Sequence, residues 1–311
     1  MTDNHMTDDS VTNDSVTNDC VTDNTMPDGK RFRIFILVAF GFGWLLQALG
    51  MLLGGAWYQL CVLLCMFAPL LGVVVSHRGI RRARTGIGWQ PNVAGHVGRY
   101  LLALWCPAAL TAAGAALFFA LFPGRFDGAM SAYAAQLEAA GSTLPPTAVA
   151  AISIAQAVTY VPFFNMLAAV GEESGWRGYM TPYLTRRLGR GWGLIVSGAI
   201  WGAFHWPLIV FAGYEYGTGY PLFPVSGMLV MCVSCTAIGV LLAWLYDRTG
   251  SVWAPSLAHG ALNAVAGVGI LFLAPGVTAL LLGPTPLGLV GGIPVYALAA
   301  VALAGGRKTR A

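Results

Sequence analysis

Residues 34–77 read IFILVAFGFGWLLQALGMLLGGAWYQLCVLLCMFAPLLGVVVSH, a run without one Asp, Glu, Lys or Arg. A helix needs about 20 such residues to cross the hydrocarbon core of a bilayer, so this run is long enough for two spans with a break at Gly54–Gly55. Further charge-free stretches cover 100–124, 139–171, 191–214, 216–246 and 249–306. The last stretch has Pro and Gly interruptions and is long enough for two spans. The sequence therefore predicts an all-α, polytopic membrane bundle of about eight transmembrane helices.

The composition of the chain agrees with a membrane protein and excludes a soluble enzyme. Hydrophobic residues make up 57% of the 311 residues and charged residues 10%, and the mean hydropathy is +0.67. These values lie outside the usual range of soluble domains. The net charge of +4 does not indicate a nucleic-acid partner. The basic residues form short clusters between apolar runs, a pattern typical of membrane topology, so we expect the lipid bilayer as the environment.

The first 28 residues differ from the rest of the chain. They hold seven of the 13 acidic residues and no Lys or Arg, and they contain the repeats VTNDS, VTNDC and VTDNT over 11–25. A segment with so few large apolar side chains is expected to be disordered. We divide the chain into a disordered acidic tail (1–29), N-terminal transmembrane helices (30–149), a membrane domain with the polar motifs (150–306) and a basic C-terminal tail (307–311).

The basic clusters predict how the spans are oriented. All of them fall on one side of the predicted bundle, at 30–33, 78–84, 186–190, 248 and 307–310. Since cytoplasmic loops are enriched in Lys and Arg, both termini are predicted to be cytoplasmic in a multi-pass protein of the cell membrane. The opposite side carries Tyr214, Tyr216 and Tyr220, which we interpret as an aromatic cluster at the membrane interface.

Few ionisable residues fall within the spans, and the first motif is GEESGWRG at 171–178. Glu173 and Arg177 are four residues apart, so on a helix they can form an ion pair. A purely structural role for this pair is an equal alternative to a role in catalysis. Glu172 points about 100° away from Glu173, which leaves it free for another task. An unpaired carboxylate in an apolar site has its ionised form disfavoured, and this raises its pKa toward the range of a general base.

Two further motifs lie on the following spans. WGAFHWP at 201–207 places His205 about as far after the turn at 189–191 as Glu172 lies before it, so in a helical hairpin the two share a level. AHGALN at 258–263 places His259 and Asn263 on one helix face. His259 is only nine residues beyond Gly250, so either the loop at Gly250 dips into the protein or that helix is displaced.

These residues suggest hydrolysis. Glu172 is placed to abstract a proton from water, and His259 or Asn263 to stabilise the oxyanion of a tetrahedral intermediate. Two histidines and a carboxylate also match a zinc site, with His205 and His259 as metal ligands and water in an open position. The residues alone leave the use of zinc undecided.

The three motifs resemble those of the CPBP family of intramembrane proteases, also called Abi, which includes type II CAAX prenyl endopeptidases and bacteriocin-processing proteins. The family pattern is Glu-Glu-x-x-x-Arg, then aromatic-x-x-x-His, then His-x-x-x-Asn. The resemblance implies a general base at Glu172, a supporting pair at Glu173 and Arg177, and a ligand of water or metal at His205. It also implies site roles for His259 and Asn263. Trp201 departs from the Phe that usually begins the second motif and keeps the aromatic wall.

The resemblance implies an intramembrane endopeptidase, possessing or lacking a metal, with a membrane-anchored peptide or protein as substrate. Which substrate, whether it is prenylated, and the oligomeric state are left open by the sequence. The main alternative is a non-catalytic membrane scaffold or bacteriocin-immunity protein that keeps the polar cluster for packing or binding. A proton-coupled transporter that titrates Glu172 is a third alternative.

Overall fold

The computed structural model describes residues 28–84, 86–277 and 280–305. The acidic tail and the basic C-terminal tail that the sequence predicts lie almost wholly outside the described residues. The described chain is helical, with 75% helix and no strands. Its helices in chain order are α1 (Asp28–Leu53), α2 (Gly55–Cys65), α3 (Ala68–Ser76), α4 (Ile80–Ala83), α5 (Val97–Leu121), α6 (Ser131–Ala139), α7 (Pro146–Thr159), α8 (Val161–Gly175), α9 (Thr181–Leu188), α10 (Arg190–Phe204), α11 (Trp206–Ala212), α12 (Val225–Thr249), α13 (Trp253–Val265) and α14 (Ile293–Gly305).

The number of spans is close to the predicted number. In the described part of the chain, five helices are long and apolar enough to cross a membrane. Two helix pairs, α2 with α3 and α7 with α8–α9, are bent by 41° and 53° and bring the count to seven if each pair is one span. The eighth predicted span corresponds to α14, whose 13 residues are shorter than a full crossing. Eight is therefore an approximate count.

The core is formed by three sets of packed helices. Helix α13 lies along α8, α10 lies along α12, and α1 packs against α2 and α3, while α3 also contacts α8. Glycines allow these close approaches, as membrane helices commonly require. A Cβ added at Gly198 or Gly202 would lie 2.3 or 2.5 Å from the α12 backbone, and one at Gly260 would lie 2.6 Å from the α8 backbone. Small residues thus bring α10 close to α12 and α13 close to α8.

The contact between α8 and α3 gives a test of this packing. A Cβ on Gly175 would lie 2.3 Å from Cβ of Pro69 and 2.8 Å from its carbonyl carbon. We expect Gly175→Ala to destabilise the protein by about 1–3 kcal/mol, because backbone atoms cannot move aside cheaply. Gly191→Ala is the matched control, since nothing lies within 4 Å of its added Cβ. Thermal unfolding in one detergent measures both, and equal midpoints for the two variants would contradict this account.

Two turns determine how deep in the helical bundle the motif residues lie. Gly189, with φ 75°, ends α9 and begins α10, and these two helices pack as the hairpin that the sequence predicts. The turn after α12 is buried, because Ser251 and Val252 are both fully inaccessible. The Val252 N–H donates to the Gly88 carbonyl at 2.9 Å, and the Trp253 indole donates to the Trp89 carbonyl at 2.8 Å. Of the two alternatives for His259, the structure therefore has the loop that dips into the protein.

Candidate functional site

The motif residues meet at a cavity of about 250 Å³ inside the helical bundle. Its wall combines apolar side chains with a small set of polar ones, the composition expected of a ligand site. The polar and titratable lining residues are Gln47, Cys65, Glu172, Trp201, His205, Tyr214, Glu215, Cys235, His259 and Asn263. Four of the six residues that the sequence predicts as a site thus line one cavity. Glu173 and Arg177 lie behind its wall.

Glu172 is buried at 4% exposure and is held from two sides. The indole N–H of Trp176 donates to its Oε2 at 2.8 Å, and the indole N–H of Trp201 donates to the same oxygen at 2.7 Å. The expectation of an unpaired carboxylate is therefore wrong. Two N–H donors on one oxygen stabilise its negative charge and fix its position, because hydrogen bonds to an ionised group are the strong ones. Within the described chain, Oε1 accepts no hydrogen bond, so it is available to a ligand in the cavity.

Trp176 belongs to a short π-helical turn, Trp176–Met180, that follows α8. Single π turns inside α-helices occur frequently at functional sites because they change the direction of the next side chains. Here the turn lies between Glu172 and the end of the α8–α9 segment and carries both Trp176 and Arg177. The π turn therefore carries Trp176, one of the two donors to Glu172, and Arg177, the ion-pair partner of Glu173.

Glu173 joins the first and third motifs. Its side chain is fully buried, and Oε1 accepts from Nη1 of Arg177 at 2.9 Å and from Nδ1 of His259 at 2.8 Å. The guanidinium carbon of Arg177 lies 4.2 Å from the centroid of the Trp201 ring, so the cation also rests on an aromatic face. Glu173 therefore orients His259, and Arg177 supports the Trp201 ring that donates to Glu172.

Both histidines present the same nitrogen to the site. Nδ1 of His205 lies 3.0 Å from the Trp201 carbonyl oxygen, which can only accept, so Nδ1 carries the proton. Nδ1 of His259 likewise donates to the Glu173 carboxylate. In each ring Nε2 is left for the cavity, as in sites where a second hydrogen bond sets the tautomer. The His205 ring is also stacked on Tyr214, with centroids 6.1 Å apart and an interplanar angle of 8°.

A tryptophan in the second motif has a measurable consequence for the site. Trp201→Phe would keep an aromatic ring beside Arg177 and His259 but remove the 2.7 Å donor to Glu172. We expect a loss of turnover of about 10- to 150-fold, because a hydrogen bond to a charged group stabilises by about 1.5–3 kcal/mol. The control is Trp206→Phe, since the buried Trp206 indole N–H has no partner in the described part of the chain. Equal rates for both variants would show that the Trp201 donor is dispensable.

The sequence left open a zinc site made of two histidines and a carboxylate. In the described ranges, no group of three or more His, Cys, Asp or Glu side chains is arranged to hold a metal ion. His205 and His259 each keep Nε2 and Glu172 keeps Oε1, but these groups do not lie closely enough together to share one metal ion. The side chains as placed do not fit a three-ligand zinc site. The use of zinc stays a prediction for experiment.

Residues from outside the three motifs also line the cavity, and the sequence did not predict them as site residues. Gln47 of α1 is fully buried, donates to the Phe204 carbonyl at 3.1 Å and leaves its own Oε1 unpaired at the cavity. The helix is interrupted at His205, between α10 and the Pro207-containing first turn of α11, and Gln47 donates to the last carbonyl of α10. Tyr214 and Glu215 also line the cavity, whereas Tyr214, Tyr216 and Tyr220 were predicted at the interface. Tyr216 and Tyr220 are instead buried, at 0% and 5% exposure. Of these residues, only Gln47 gave a signal in the sequence, because it is a polar side chain within an apolar run.

Comparison with known families agrees with this geometry. Residues 154–265 match the model of the Rce1-like family, described as type II CAAX prenyl endopeptidase Rce1-like. Over this range the chain is similar to CAAX proteases. The matched range begins in α7, ends with α13 and contains all six predicted site residues. No match to a curated protein was found. The Rce1-like family is a family of proteases. The apolar helices of the described residues support an integral membrane protein in a lipid environment.

Proposed function

We propose that the protein is an intramembrane endopeptidase that hydrolyses a peptide bond of a membrane-anchored peptide or protein, in the manner of CAAX-type prenyl endopeptidases. One observation carries the proposal. A buried carboxylate, Glu172, is held by two indole N–H groups in a cavity that also presents Nε2 of His205 and His259. A site that fixes one carboxylate oxygen and leaves the other to the cavity suits a general base.

The reaction follows from these positions. Oε1 of Glu172 takes a proton from water while the water oxygen bonds to the carbonyl carbon of the substrate. Nε2 of His205, whose ring has its proton on Nδ1, accepts a hydrogen bond from the same water and orients it. When the C–N bond breaks, Glu172 returns the proton to the departing amine. The carboxylate is thereby ready for another cycle, and no covalent intermediate forms.

The oxyanion needs donors, which His259 and Asn263 supply. In this role His259 donates from Nε2, while its Nδ1 donates to Glu173 at 2.8 Å and the carboxylate holds the ring in place. The Nε2–H group, together with the Asn263 amide one turn further along α13, then faces the developing oxyanion.

The test is cleavage by the purified protein in lipid nanodiscs. Prenylated and unprenylated membrane-anchored peptides are incubated with the wild type, with and without a metal chelator, and products are identified by mass spectrometry. We expect product from the wild type. Loss of product with chelator, restored by added zinc, would establish a metal enzyme; retained product would favour the side-chain mechanism. No product from any peptide, while peptides still bind, would favour the scaffold or immunity alternative.

A further inference from the structure

Glu215 is a second carboxylate of the cavity that the hydrolytic steps do not use. It lies in the loop 213–224 between α11 and α12, and it lines the same cavity as Glu172. Its side chain is half-buried. Burial raises the pKa of the Glu215 carboxyl, and a hydrogen bond from Tyr214 opposes this shift. A carboxylate in such a position is stabilised by a hydrogen-bond donor or by a cation.

The backbone at Glu215 is held in an uncommon conformation. Its φ is 65°, and the Tyr216 N–H donates to the Tyr214 carbonyl at 2.8 Å, which makes Glu215 the central residue of a three-residue turn. Such turns are strained for residues other than glycine and persist where the surroundings impose them.

The surroundings of this turn are packed on both sides. The hydroxyl of the fully buried Tyr216 donates to the Leu287 carbonyl at 3.1 Å, and Tyr214 stacks on His205. The loop therefore holds the Glu215 carboxylate in the cavity wall, one residue after the tyrosine that stacks on His205.

The lining of the cavity has an excess of acidic over basic side chains. Two carboxylates, Glu172 and Glu215, line it, and none of its described lining residues is Lys or Arg. The buried cation Arg177 lies behind the wall and is paired with Glu173. Within the described residues Glu215 forms no ion pair. The cavity thus presents a fixed negative group to whatever enters it and no fixed positive group.

We infer that Glu215 binds a basic side chain, Lys or Arg, close to the scissile bond of the substrate. This inference rests on the proposed protease function and specifies the substrate of the same site. A Lys or Arg suits the position because its long apolar stem can lie along the wall while its charge reaches the loop at the end of the spans. A free C-terminal carboxylate is disfavoured there, because it would meet Glu215 with no cation beside it.

The first test varies the substrate and leaves the protein unchanged. Membrane-anchored peptides carry Lys, norleucine or Glu at each position within three residues of the cleaved bond, because norleucine matches the apolar stem of Lys without its charge. At one of these positions we expect kcat/KM for the Lys peptide to exceed that of the norleucine peptide by about tenfold, with the Glu peptide poorest. Equal kcat/KM values for the Lys and norleucine peptides at every position would overturn the inference and leave the proposed function standing.

The second test varies the protein. Glu215→Gln is nearly isosteric and should bring the Lys-to-norleucine ratio close to one, and Glu215→Lys should reverse the preference in favour of the Glu peptide. Glu138→Gln, on the exposed face of α6, is the matched control and should keep the wild-type ratio. Charge reversal makes the test independent of any general loss of folding, because a damaged protein loses both substrates. An unchanged ratio in folded Glu215→Gln would overturn the inference.

Binding separates this inference from the proposed function. Fluorescent Lys and norleucine peptides are titrated into the Glu172→Gln protein in nanodiscs, so affinity is measured without turnover. If the wild type cleaves no peptide, the protease proposal fails, and the titration alone then decides the role of Glu215. Tighter binding of the Lys peptide by about tenfold, abolished by adding Glu215→Gln, supports it. Equal affinities of the two peptides overturn it.

Discussion

Arg177→Ala is expected to destabilise the protein by about 3–5 kcal/mol, because it leaves the Glu173 carboxylate buried without its cation. The two side chains are 3% and 0% exposed, and their atoms are 2.9 Å apart. Arg177 also lies on the Trp201 ring, so its removal loosens the indole that donates to Glu172. Arg177→Lys should recover part of the stability, since it restores the charge but not the planar contact with the ring. Thermal unfolding of the detergent-solubilised protein measures all three forms.

The chain provides a matched control for this ion pair. Arg190 and Asp247 also form a salt bridge, at 2.6 Å, but their side chains are 45% and 43% exposed. Surface pairs of this kind contribute about 0–1 kcal/mol, so Arg190→Ala should change the unfolding midpoint little. If Arg177→Ala were no more destabilising than Arg190→Ala, Glu173 would not depend on Arg177 as described.

Glu172→Gln is expected to lower kcat by a factor of about 10² to 10⁴, the range that general-base catalysis contributes. Gln keeps the shape of the side chain, and its amide oxygen can still accept from Trp176 and Trp201, so the fold should persist. The loss is therefore one of chemistry. Initial rates on a single membrane-anchored peptide, at equal amounts of folded protein in nanodiscs, measure it.

The control for Glu172→Gln is the same substitution at Glu138, which is exposed on α6 and should leave kcat unchanged. Cys65 provides a second comparison, because Cys65 and Cys235 also line the cavity and a thiol is another kind of nucleophile available there. We expect Cys65→Ala to retain most of the activity. Undiminished cleavage by Glu172→Gln, or complete loss in Cys65→Ala with an unchanged unfolding midpoint, would overturn Glu172 as the base.

Much of the fold was predictable because apolar length and short-range spacing are properties of the sequence itself. Charge-free stretches locate the helices, and the four-residue spacing of Glu173 and Arg177 predicts the ion pair that the structure contains. The bends within α2–α3 and α7–α9 were not predicted, since charge content does not respond to a change of helix direction. The short length of α14 was not predicted either, because the residues around it are also free of charge.

The part of the site formed by motif residues on neighbouring helices was predictable from the sequence. The contributions of distant segments were not. Glu172 and His205 lie at similar distances from the Gly189 turn, and they line one cavity. The two indole donors to Glu172 depend on a π turn and on the rotation of α10, which no spacing rule supplies. Gln47 reaches Phe204 across 157 positions of the chain, and Glu215 enters through a strained turn in a loop that reads as an interfacial segment. Such contacts are set by tertiary packing.

The most direct test of the central claim is the intact mass of the protein during a single turnover. Wild-type protein in excess over a membrane-anchored peptide is quenched at successive times, and protein and peptide are weighed in the same sample. Because a water activated by Glu172 attacks the peptide bond directly, the account predicts that peptide products accumulate while the protein keeps its unmodified mass. A protein species heavier by one peptide fragment, formed and lost as products appear, would show a covalent nucleophile and contradict the account.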